Sequence, residues 1–101
     1  MPVIEGVIFT KVRGVKDIYI NSCTQSVLKR IQKYPREVKD IHIFDLEVYV
    51  EFQNERKGIK IGVLPSKYKN LFKRNIIHQI SFTSTGGKGK TCGLNLKIIF
   101  K

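Results

Sequence analysis

Apolar and polar positions recur along this chain in patterns that divide it into short strands and two helices. Residues 3–12 are rich in Val, Ile, Phe and Thr and are closed by Gly14, which reads as a strand followed by a turn. After Asn21 or Ser22, either of which can cap a helix, Cys23, Val27, Ile31 and Tyr34 recur at helical spacing until Pro35 ends the run. From residue 44 the period becomes two. Phe44, Leu46, Val48, Val50 and Phe52 fall on one side, and Asp45, Glu47, Tyr49 and Glu51 on the other, predicting one strand over 44–52.

Asn54-Glu55-Arg56-Lys57-Gly58 then reads as a turn, and the alternation of Ile59, Ile61 and Val63 with Lys60 and Gly62 completes a hairpin. Pro65 suits the first turn of a second helix, with Tyr68, Leu71 and Phe72 inward and Lys67, Lys69, Lys73 and Arg74 outward. Residues 76–84 and 92–100 alternate as two further strands around Gly86-Gly87-Lys88-Gly89-Lys90. The resulting order, β-α-β-β-α-β-β, predicts a small, strongly curved sheet or partly open barrel of the α+β class.

The chain has 101 residues, 42% apolar and 27% charged, which suits one globular domain over 1–101. No apolar run approaches the roughly 20 residues of a membrane span, and Met1 to Glu5 lack the features of a secretory signal, so a cytoplasmic location is expected. Cys23 and Cys92 lie far apart with no paired-thiol spacing. Buried thiols are expected, with neither a disulfide framework nor a zinc site.

Charge changes the picture more than composition does. The formal net charge is +11, and its distribution is lopsided: residues 1–55 balance eight Lys or Arg against eight Asp or Glu, while residues 56–101 hold eleven Lys or Arg and no acid. Solvated surfaces normally intersperse the two signs, because an unbalanced surface repels itself. A polyanion partner is the reading that gives such a surface a purpose, since cations displacing condensed counterions supply most non-specific nucleic-acid affinity. A basic face docking on an acidic protein, as an adaptor or inhibitor, is the competing reading.

Ser84-Thr85-Gly86-Gly87-Lys88-Gly89-Lys90-Thr91 ends like a phosphate-binding P-loop, but Ser84 stands in the position of the first Gly. That motif also needs a helix directly after the loop, and here an alternating strand follows. A glycine-rich hairpin tip carrying Lys88 and Lys90 is expected instead. His42 and His78 lie in strand patterns without a nucleophile or carboxylate at a recognisable spacing, and the carboxylates of residues 45–51 read as a solvated strand face. No enzyme, metal site or cofactor is expected. Phosphate contacts fall to Arg13, Lys60, Lys67, Lys69, Lys73, Arg74, Lys88 and Lys90, and the stacking candidates for unpaired bases are Tyr19, Tyr49 and Tyr68.

The run Ile61-Gly62-Val63-Leu64-Pro65, then a short helix, a strand, the Gly86-Gly87 turn and Gly93-Leu94-Asn95-Leu96-Lys97-Ile98, resembles the HIRAN domain. Lys11-Val12-Arg13-Gly14-Val15 and Thr24-Gln25 are similar to the opening of its small bacterial members. The resemblance implies a six-stranded SH3/OB-like barrel with two short helices. It also implies a module for single-stranded DNA or DNA ends, in some members capturing the 3′ end, that works within helicases or nucleases. The chain departs from that pattern after the long strand. Only Asn54 stands where the family has Asn-Pro-Tyr-Asp-x-Asn-Ala, and Val63 stands where it often has a polar or aromatic residue.

Overall fold

A computed structural model of the chain describes residues 6–13, 24–87 and 90–101, with the side chain of Lys90 also outside the description. Six strands form: β1 (Val7–Lys11), β2 (Val38–Phe44), β3 (Glu47–Phe52), β4 (Ile59–Val63), β5 (Ile77–Gly87) and β6 (Lys90–Phe100). Helix α1 (Thr24–Lys33) lies between β1 and β2, and α2 (Lys69–Arg74) lies between β4 and β5. The strands make two antiparallel three-stranded sheets, ordered β1-β6-β5 and β2-β3-β4. An isolated bridge between Arg13 and Val63 joins them, with Arg13 N–H donating to Val63 O at 2.7 Å and Val63 N–H to Arg13 O at 2.8 Å. The α+β class is as expected, and the six strands are one more than the five read from periodicity, the addition being β2; among the described residues the sheets do not close into a barrel.

The alternation that predicted strands decides what is buried. Leu94, Leu96, Ile98 and Phe100 of β6 meet Val48, Val50 and Phe52 of β3 in a single core that α1 covers with Val27, Leu28 and Ile31. Burying a side chain such as Leu28 or Ile31 contributes about 1.5–3 kcal/mol, which outweighs the weak propensity of a ten-residue helix. Helix α1 ends at Lys33. Tyr34, expected on its inner face, lies beyond that end and is exposed, because Pro35 starts a 3₁₀ turn that carries the chain away from the core.

The strand predicted over 44–52 is two strands. The chain reverses at Asp45 and Leu46, whose φ values of 49° and 65° are those of a tight hairpin turn with both central residues left-handed. Such turns favour Asn-Gly, and Leu at positive φ is uncommon. Tertiary contacts hold it: Leu46 packs on the core and its carbonyl accepts from Leu64 N–H at 2.8 Å. Phe44 therefore pairs with Glu47 across the hairpin and is 73% exposed, whereas the alternation alone would have buried it with Val48.

Pro65 precedes a 3₁₀ turn, Ser66–Tyr68, that runs directly into α2. Phe72 packs on Phe100 with ring centroids 5.5 Å apart and tilted by 60°, an attractive edge-on geometry. No helix among the described residues is long and apolar enough to cross a membrane.

Candidate nucleic-acid interface

The segment from β5 to β6 is a hairpin, not a strand, loop and helix. Ser84 to Gly87 continue β5, and β6 starts at Lys90, paired with Gly87. Gly86 and Gly87 hold φ values of 81° and 94°, and a side chain on Gly86 would run into the Thr91 carbonyl, so the turn depends on glycine. Two glutamines of α1 anchor this base. Gln25 bonds both backbone groups of Cys92, and Gln32 Nε2 donates to Gly86 O at 3.0 Å. Cys92 is a buried free thiol, as expected, while Cys23 lies outside the described residues.

The expected phosphate-binding residues occupy several places. Lys67, Lys69, Lys73 and Arg74 come together as exposed side chains of one short segment, whose apolar side docks through Phe72 on the core-facing side of β6. Lys67 Nζ lies 5.2 Å from the Tyr68 ring centroid, and Tyr68 itself is half-buried at the start of α2. Arg13 is exposed at the bridge between the sheets. Lys60 is on β4, where its ammonium donates to Glu47 Oε1 at 2.8 Å. Lys88 and Tyr19 lie outside the described residues, and Lys90 is placed only by its backbone at the hairpin tip.

Tyr49 is likewise tied into sheet β2-β3-β4. Its hydroxyl donates to Glu47 Oε2 at 2.8 Å, and Glu47 sits between it and Lys60. The hydrogen bond from Lys60 and then that from Tyr49 hold the Glu47 carboxyl below the usual carboxylate range; the same bonds raise Lys60 and Tyr49 above their ordinary values. On the same face Glu51 accepts from His42 Nε2 at 3.0 Å and lies 3.6 Å from Lys39. The hydrogen bond from His42 is the main cause of its lowered pKa. Here the carboxylates of Glu47 and Glu51 are spent on local partners.

That pattern extends to Glu37 and Glu55, while among the described residues Asp40 accepts only from the Ile41 N–H and enters no ion pair. Arg30 at the end of α1 bonds Glu37 and Glu55, each at 2.9 Å, and its guanidinium stacks 3.9 Å from the centroid of the buried Phe52 ring. The two carboxylates raise its pKa further, Glu55 more than Glu37. Among the described residues Lys60 is the one cation of the C-terminal half that enters an ion pair.

A second basic patch, absent from the expected residues, lies on the outer face of sheet β1-β6-β5. Phe9, Lys97 and Ser81 face one another across the three strands, and Lys11, Asn95 and Thr83 form the next row, about 7 Å along. These six line a shallow groove of about 540 Å³. Phe9 is 65% exposed, with Lys97 Nζ 5.8 Å from its ring centroid. The alternation of β6 does put Asn95 and Lys97 opposite its buried residues, but only the β1–β6 register reveals that an aromatic ring stands beside Lys97. Comparison with known families, characterised proteins and solved structures finds no match.

Proposed function

We propose that this protein is a non-enzymatic nucleic-acid-binding module for single-stranded DNA or DNA ends, engaging phosphates through cations of its C-terminal half. The observation that carries this reading is the partition of ion pairs. Lys39, His42, Arg30 and Lys60 engage Glu37, Glu47, Glu51 and Glu55, leaving Lys67, Lys69, Lys73 and Arg74 exposed without an ion pair. Ammonium groups already matched by carboxylates have little to gain from a phosphate, whereas unmatched ones release counterions when a strand arrives. The HIRAN-like features fit the same reading, with the two sheets taken as halves of an SH3/OB-like barrel that meet at the Arg13–Val63 bridge. A helicase, nuclease or other DNA-processing protein is the natural context for such a module.

The test is a fluorescence titration with single-stranded, duplex and 3′-blocked oligonucleotides over a range of salt. Engagement of about four phosphates of a single strand gives a slope of about −3 in log affinity against log salt. Binding that ignores salt, or no binding to any oligonucleotide at physiological salt, overturns the reading. The second outcome leaves the basic face to an acidic protein.

A further inference from the structure

Sheet β1-β6-β5 has one face committed to the core and one left open, and the open face has an unusual composition for solvated surface. It carries an exposed ring at Phe9, two ammonium groups at Lys11 and Lys97, and hydrogen-bonding side chains at Ser81, Thr83 and Asn95. Val7 and Ile99, paired in the row on the other side of Phe9, extend the apolar ground beneath the ring. Residues 6–13 and 77–101 contain no Asp or Glu, so no carboxylate within these strands repels an anion.

Building on the reading above, we infer that this groove is a stacking platform for an unpaired base, with Phe9 under the base and Lys11 and Lys97 on the flanking phosphates. An aromatic ring exposed on a sheet face has the geometry that single-strand binders use, because any base presents a π-face to it. The groove is shallow and open, so a single base can lie on the ring, whereas a duplex keeps its bases stacked inside and offers Phe9 no free π-face. Lys97 rests near the ring in the free protein. An exposed cation–π contact at that distance is weak, so the flexible side chain can turn to a phosphate when a base takes the ring face. Ser81, Thr83 and Asn95 offer donors and acceptors to the base edge or the sugar.

Phe9 is exposed, so its substitution leaves the core intact and the protein can be assayed folded. With a fluorescent oligodeoxythymidylate, Phe9→Ala should weaken binding on the order of tenfold or more, as expected for one lost base stack, and Phe9→Trp should restore or strengthen it. Inorganic polyphosphate and a duplex of equal length, which present charge without a free base, should bind wild type and Phe9→Ala alike. Lys11→Ala with Lys97→Ala should flatten the single-strand salt slope by about 1.4. If wild type binds oligodeoxythymidylate and Phe9→Ala binds it equally well, the platform is wrong while the broader reading stands. If wild type binds neither the oligonucleotide nor polyphosphate, both fail.

Discussion

The side-chain amide of Gln25 satisfies both backbone groups of Cys92, its Nε2 donating to the carbonyl at 3.1 Å and its Oε1 accepting from the N–H at 2.9 Å. Among the described residues the chain following β1 makes its last contact on that edge of β6 at Leu94, whose carbonyl accepts from Val12 N–H. Cys92, two residues earlier, turns its polar groups to the same side. Gln25 thus takes the place of a strand partner at Cys92, and it ties α1 to the hairpin that carries Lys90.

Replacing Gln25 by Ala should leave those two partly buried groups without partners and destabilise the fold by about 1–3 kcal/mol. Urea unfolding measures the loss, and amide exchange at Cys92 should speed up more than exchange at Ile98, deep in the same strand. An unchanged unfolding midpoint would mean that water replaces the amide without penalty.

Gly62 lies where the two sheets meet. A Cβ there would press on the Arg13 carbonyl oxygen and sit 2.6 Å from Val12 Cγ1. Gly62→Ala should therefore destabilise by about 1–3 kcal/mol or more, by forcing the Arg13–Val63 bridge apart. Gly58→Ala, whose Cβ meets nothing closer than Tyr49 Cβ at 3.4 Å, serves as the control and should change stability far less. Equal effects from the two would show that the bridge is not rigid.

Buried β6 residues should behave as core. Leu96→Ala removes a side chain only 2% exposed and should cost about 2–5 kcal/mol in chemical denaturation. A smaller loss would mean that the two sheets collapse readily onto the cavity.

The Glu47, Tyr49 and Lys60 cluster predicts pH dependence at both ends of the scale. Glu47 has a lowered pKa when folded, so its contribution is present above the unfolded carboxylate value and is lost as pH falls through the folded one. Lys60 and Tyr49 have raised values, so theirs is present below the unfolded values and is lost as pH rises through the folded ones. Thermal unfolding followed over pH should show both limbs, and Glu47→Gln should flatten both, because all three shifts pass through that carboxylate. Retention of the acid limb would point to Glu51, whose pKa is also lowered.

Charge reversal on α2 tests the proposed function at a place remote from the hairpin. Lys69→Glu with Lys73→Glu should lower oligonucleotide affinity at low salt and reduce the magnitude of the salt slope by about 1.4 if both residues meet phosphates. Unchanged slope and affinity would remove α2 from the interface.

Much of this architecture is legible in the chain because burial follows periodicity. Cys92, Leu94, Leu96, Ile98 and Phe100 are all buried at alternate positions of β6, and Val27 and Ile31 face the core from α1. His42 lies in a strand pattern, yet residues 38–44 do not stand out as an element of their own: Lys39, Asp40 and His42 are exposed and interrupt the apolar positions, so the segment carries too little contrast to bound. The reversal at Asp45 and Leu46 was hidden for the opposite reason. A two-residue turn shifts the alternation by one, putting Phe44 on the face of Glu47, but Phe44 and Leu46 are both apolar, so the pattern runs on unbroken into Val48, and nothing in Asp-Leu announces positive φ.

The acid-free run from residue 56 onward, the two helices and most of the strands belong to the linear sequence, because side-chain period and charge are local properties. The tertiary structure decided which cations keep their charge unmatched. Lys60 was drawn to Glu47 by strand register, while Lys67, Lys69, Lys73 and Arg74 share one exposed segment. It also decided that Phe9 and Lys97, far apart in the chain, share a groove. Pairing between distant strands depends on the mutual fit of two faces, and that fit exists only once the core has closed.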